Sequence, residues 1–164
     1  MNDAHLHLIV NHFPIVGINI GLLVLIVGFL LKNPQVKATS LGIFIFSALA
    51  AIAANYTGEG AEEIVEKIPG ISESFIHDHE EYAEQFFTLS LILGGAALIT
   101  LFLQIKKWGL AAYGYILVII LTISSLVSAY YVGVSGGEIR HTEIRETSNL
   151  ENQPDFIKSE ENDD

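Results

Sequence analysis

His5-Leu6-His7-Leu8-Ile9-Val10-Asn11-His12-Phe13-Pro14-Ile15-Val16-Gly17-Ile18-Asn19 opens an apolar run that ends only at Leu31. About 26 residues at ~1.5 Å each suffice to cross a ~30 Å hydrocarbon layer, so the run predicts a membrane helix. Within it His5, His12 and Asn19 are spaced by sevens and share one face, while Gly17 and Gly21 form a small-xxx-small pair that admits another helix or a flat ligand. Polar groups inside a span are costly and usually face the bundle, which makes this stripe a candidate site.

Composition agrees with a membrane protein. The 164 residues are 51% hydrophobic with a mean hydropathy of +0.46, too apolar for an ordinary soluble domain and too short for more than one. Cysteine is lacking, so thiolate metal sites and disulfides are excluded and any metal must be held by His, carboxylate or carbonyl groups. A formal charge of -11 with no basic stripe excludes a nucleic acid partner. The N-terminus lacks a positive n-region and its apolar run is long for a signal peptide, so the first helix is expected to stay on the mature chain.

Three further apolar runs follow: Leu41 to Tyr56, Phe86 to Ile105 and Leu110 to Val134. The fold class read from them is all-α, an integral membrane up-down four-helix bundle. A transmembrane domain covers 1–141 and a disordered acidic tail covers 142–164. The second span is Ala-rich, a composition that suits a central, closely packed helix. Pro34 is expected to end the first span, with Thr39 or Ser40 capping the second. The segment from Thr57 to Ile76 reads as a connector with a short helix over Glu62 to Ile68, ended by Pro69-Gly70. No breaker separates His77 from the third span, so that helix is expected to extend about two turns outside the bilayer. Gly136-Gly137 offers a stop after the fourth.

The two short links hold Lys32, Lys37, Lys106 and Lys107 and no Asp or Glu. The positive-inside rule then places them in the cytoplasm of a bacterium, with both termini on the periplasmic face of the inner membrane. All six histidines fall on that outer side although they come from three parts of the chain. Counting ~1.5 Å per residue from the lysine links, His12, Glu84 and Glu59 lie about 28, 31 and 27 Å up, and His5 and His79 each about 39 Å up, near the Gly136-Gly137 break. This convergence predicts a ligand site. Its first candidates are His12 and His79, then His141 and His5, with Glu84 and Glu138 as carboxylate ligands. His77, Glu81, Glu59, Tyr131, Ser128 and Asn19 follow as supporting or alternative groups. Glu138-x-x-His141 has the one-turn spacing of a carboxylate and an imidazole on one metal, and imidazole with carboxylate suits zinc, iron or manganese. Paired histidines on different helices, with Arg140 or Arg145 for propionates, suit haem b instead.

These residues resemble a bacterial family of four-helix membrane domains of unassigned function. The likeness lies in His12-Phe13-Pro14-Ile15, Thr57-Gly58, a histidine opening the third span, and a Gly-Gly-x-x-x-His element comprising Gly136, Gly137 and His141, and it covers residues 5 to 141. Similar domains occur fused to cytochrome c or iron-sulfur modules, which implies a membrane redox setting with a redox protein or membrane complex as partner. His5, His7 and His77 are additions to that pattern. The leading expectation is therefore a bilayer-embedded protein whose outer end binds a transition metal or haem iron. A b-type haem electron carrier and a non-metal structural or assembly subunit are the alternatives. No hydrolase or phosphate-binding motif appears, so whether the chain is an enzyme is left open.

Overall fold

Pro14 has no N–H to give the Val10 carbonyl, and the computed structural model of the chain shows the first long helix broken there. The structure describes residues 2–141 and 144–145. It contains α1 (Asp3–Val10), α2 (His12–Leu30), α3 (Pro34–Val65), α4 (Glu73–Ile105) and α5 (Ala111–Arg140), with no strand among the described residues. Asn11, between α1 and α2, keeps right-handed helical angles, so the two form one bent rod.

The links are built alike. Asn33 donates to the Gly28 carbonyl and Lys32 to that of Phe29; Trp108 donates to the Leu103 carbonyl and Lys107 to that of Gln104. These are paired closures over a left-handed residue, and lysine occupies that residue in both, at φ 50 for Lys32 and 57 for Lys107. Asn33 then caps α3, its side chain accepting from Gln35 and Val36 N–H, with Pro34 in the first turn. Pro34 thus begins a helix where the sequence reading had it end one, and Asn33 does the capping expected of Thr39 or Ser40.

Consecutive helices pack antiparallel, α2 on α3, α3 on α4 and α4 on α5. The ring closes between α5 and α2 over a shorter seam, and α1 rests on α3. The close approaches are made by glycine: a Cβ on Gly17 would stand 2.2 Å from Ser47 Oγ, on Gly21 2.6 Å from the Phe44 ring, and on Gly94 2.4 Å from the Ala48 Cβ. The Gly17 and Gly21 pair therefore serves a helix, and no flat ligand is needed to account for it. Ile18, Leu25, Leu41, Phe44, Leu93, Ala97 and Val118 fill the centre, in company with buried Ser40, Ser47, Ser90, Thr100, Thr122 and Ser125. Leu, Ile and Phe side chains cover the outside, Leu23 at 63% exposure and Leu98 at 57% among them. Among the described residues four helices are long and apolar enough to cross a membrane, α1 and α2 counting as one.

Two sequence boundaries need correction. The second span does not end at Tyr56: α3 continues through Thr57, Gly58 and Gly60 to Val65, absorbing most of the expected connector helix. Thr57 turns its hydroxyl back onto the Ala53 and Ala54 carbonyls, and the glycines make room for α1, with Asp3 atoms 2.6 to 2.9 Å from a Cβ built on Gly60. Likewise α5 passes through Gly136-Gly137 to Arg140. The tail expected to be disordered lies outside the described residues, Ile144 and Arg145 excepted.

Candidate functional site

The inward face of the first rod repeats in threes and fours: His7, Asn11, Pro14, Ile18, Gly21, Leu25 and Gly28. From Pro14 onward these are buried, and Asn11 Oδ1 is inaccessible to solvent. His7 heads this stripe. Its Nδ1 lies 3.1 Å from the Ala54 carbonyl and 3.2 Å from Thr57 Oγ1, both on α3. A carbonyl only accepts, and the Thr57 hydroxyl already gives its proton to α3 carbonyls, so His7 Nδ1 must be the donor. In the neutral ring the lone pair is then on Nε2.

His79 on α4 repeats the arrangement. Its Nδ1 lies 3.0 Å from Ser135 Oγ on α5, and Ser135 donates its own proton to the Val132 carbonyl. The ring also bonds the Val132 carbonyl, which can only accept, and with Nδ1 as the donor, as in His7, the lone pair is on Nε2. Gly136 makes this position possible, because a Cβ there would lie 3.0 Å from His79 Cε1. The two imidazoles, on α1 and α4, are within electrostatic reach of each other. Each is held by a neighbouring helix through one nitrogen and offers the other as a base, the arrangement in which an outer hydrogen bond fixes tautomer and ring orientation of a metal-binding histidine.

Toward the middle of the bundle three buried hydroxyls, Ser90, Ser125 and Ser128, have no hydrogen-bond partner among the described residues, nor has Asn11 Oδ1. The other buried serine and threonine hydroxyls bond carbonyls of their own helices, Ser47 to Ile43 and Thr122 to Val118 among them. The α4–α5 register that pairs His79 with Ser135 and Gly114 with Thr100 sets Ser90 level with Ser125. Ser90 and Ser125 thus lie at one level beneath the histidines, and Ser128 about one helical turn nearer to them.

Of the residues singled out in the sequence, His79 and Ser128 face this interior. His5 and His12 are exposed, and Asn19 satisfies its amide on the Ile15 carbonyl at 2.9 Å, so the expected stripe of His5, His12 and Asn19 looks away from the bundle. Glu81 and Glu84 are exposed on α4. His77 is exposed, its Nδ1 3.9 Å from Glu80 Oε2, and Glu59 is exposed near the end of α3. Tyr131 stacks on Tyr82 with ring centroids 5.5 Å apart. Glu138 is partly buried, Arg140 is exposed, and His141 caps α5, its N–H on the Gly137 carbonyl. Arg145, expected to be ready for propionates, gives its guanidinium to the Glu138 and Ile139 carbonyls at 2.8 and 3.2 Å and stacks over Phe75. Among the described residues no three His, Asp or Glu side chains gather as a metal-holding group.

His7 escaped the sequence reading of the site although a signal for it exists. His7, Pro14, Gly21 and Gly28 recur every seven residues, and small residues mark the side of a membrane helix that meets another helix. A histidine on that line points into the bundle.

No protein-family model matches this sequence, and no curated protein or solved structure is significantly similar to it.

Proposed function

We propose that the chain is an integral membrane protein whose histidine-bearing end holds a redox metal cofactor between His7 and His79, with a b-type haem as the occupant these residues suit best. Insertion into the bilayer is supported by an inverted distribution of side chains, with serine, threonine, glycine and alanine inside and leucine, isoleucine and phenylalanine outside. The lysine links are assigned to the cytoplasm and both termini to the periplasm of a bacterial inner membrane by the bias of Lys32, Lys37, Lys106 and Lys107. The observation that carries the cofactor reading is the matched pair of Nδ1 hydrogen bonds, each to a helix packed against the one that carries the histidine, which would leave Nε2 available on both rings.

The number of ligands favours haem over a bare ion. Zinc in a protein site takes three or four protein ligands, whereas a porphyrin supplies four nitrogens of its own and asks only for axial groups. His7 and His79 would hold the iron, and the Ala54 carbonyl, Thr57 and Ser135 would hold their rings and raise their basicity. When bound, the iron supplies one-electron transfer; the redox setting and a redox partner are what the family resemblance adds. A second reading, a structural or assembly subunit, is favoured by the mutual electrostatic reach of Glu59, Glu62, Glu66 and Glu80 at the same end, which makes a negative face for a basic partner.

The test is a reduced-minus-oxidised visible spectrum of the full chain, purified in detergent and supplied with hemin. A sharp α band is expected, lost in His7→Ala and in His79→Ala and retained in His12→Ala. A flat difference spectrum for the unaltered protein overturns the haem reading.

A further inference from the structure

The opposite end of the bundle carries a second site. Between the start of α3, the α4–α5 link and the first turns of α5 lies a groove of about 470 Å³. Lys37, Gln104 and Lys107 line its mouth, Trp108 stands beside them, and Ile116 and Ile119 continue it along the apolar flank of α5. The mouth is built and not incidental. Lys37 Nζ lies 5.1 Å from the ring centre of Phe29 and 5.2 Å from that of Tyr115, and those rings meet edge to face at 5.4 Å. Gln104 donates to the Pro34 carbonyl at 2.8 Å and accepts from the Tyr115 hydroxyl, tying α3, α4 and α5 together around the lysine. Lys107 is held at φ 57, where glycine is the less strained residue.

Charge decides the occupant. Among the described residues neither Lys37 nor Lys107 has a carboxylate within ion-pair distance, and no Asp or Glu occurs between Leu31 and Tyr56 or between Phe86 and Ala129. A chain of net charge -11 thus keeps one end free of acid and places two cations on the rim of an apolar channel. A soluble anion would use the cations and leave the channel unfilled. A zwitterionic lipid would fill the channel and bring its own cation to the lysines. We propose that this groove binds an anionic phospholipid, its phosphate between Lys37 and Lys107 and an acyl chain along Ile116 and Ile119, as basic pockets between membrane helices do. Tryptophan belongs at such a headgroup boundary.

This inference rests on bilayer insertion and not on the cofactor at the other end. Trp108 is the only tryptophan of the chain, so it reports on the groove by itself. The full-length protein is placed in vesicles of phosphatidylcholine containing either brominated phosphatidylglycerol or brominated phosphatidylcholine at equal mole fraction, and quenching of Trp108 is recorded. Brominated phosphatidylglycerol is expected to quench several-fold more strongly. The excess is expected to vanish in Lys37→Gln/Lys107→Gln and to survive in Lys32→Gln/Lys106→Gln, which removes the same charge from the same end outside the groove. Lys107→Gln alone, at an exposed position, should remove most of it without touching the packing around Lys37. Equal quenching by the two lipids, or equal loss in both double variants, overturns the site while leaving insertion intact. No quenching by either lipid overturns insertion as well. In detergent, millimolar inorganic phosphate is expected to leave Trp108 emission unchanged; a saturating change there, reversed by Lys37→Gln/Lys107→Gln, overturns the lipid in favour of free phosphate.

Discussion

His7 and His12 sit on the same bent rod at the same end of the molecule and live in different surroundings. His7 gives Nδ1–H to α3 and is partly buried; His12 is exposed and, among the described residues, makes no side-chain hydrogen bond. His79 and His77 repeat the contrast on α4, one bonded to Ser135 and the other exposed beside Glu80. The lesson is that the neighbouring helix, and not the histidine count, decides which imidazole is oriented in advance. A ring held at one nitrogen has given up rotational freedom in advance, and a free ring must give it up on binding.

The largest expected effect breaks the contrast outright. His79→Ala should all but abolish haem uptake by the purified protein, and His77→Ala should leave it within about twofold, since only the former is oriented by a second helix. Equal losses in a hemin titration followed at the Soret band would erase the distinction. A smaller effect sharpens it: Ser135→Ala keeps the ring of His79 and its bond to the Val132 carbonyl but removes the hydroxyl anchor, so affinity should fall about 10-fold with the spectrum's shape retained. Next comes packing. Gly136→Ala pushes a methyl against His79 Cε1 and should weaken binding and lower thermal stability together, by about 1–3 kcal/mol for the latter, whereas Gly133→Ala, with open space around it, should change neither. Thermal unfolding in detergent with and without hemin separates the two. The smallest effect concerns the orphaned hydroxyls. Ser125→Ala removes a buried group without a partner, so the cofactor-free protein should be no less stable and is expected to gain up to about 1 kcal/mol. A clear loss of stability would mean that the hydroxyl has a partner such as internal water.

Much of the architecture could be read from composition and length. The apolar runs matched the four long helices because a span must be both long and nonpolar, and the short lysine links matched because antiparallel neighbours need little chain. The ends of helices were legible less well. Gly58, Gly60, Gly136 and Gly137 look like breakers in sequence, yet a helix accepts glycine where a neighbour must come close, as His7, Asp3 and His79 do. The site was half legible. That the histidines collect at one end follows from counting residues; which of them face inward does not. The rule that polar groups in a span turn toward the bundle selected His5, His12 and Asn19. Asn19 evades it by bonding the carbonyl one turn back, which removes most of the cost of facing outward. The rival line of His7, Pro14, Gly21 and Gly28 is marked by small volume and not by polarity, and volume was the better guide.

The missing rung at Pro14 has a mechanical consequence. Bilayers of different thickness tip a membrane rod, and a stiff rod would carry that tilt to everything at its tip. Here the tip is a short piece beyond a bend, and His7 takes its bearing from the Ala54 carbonyl on the adjacent rod. Its aim is thereby calibrated against α3, so that in a bilayer the imidazole would hold its heading even where the long helix below the bend tilted.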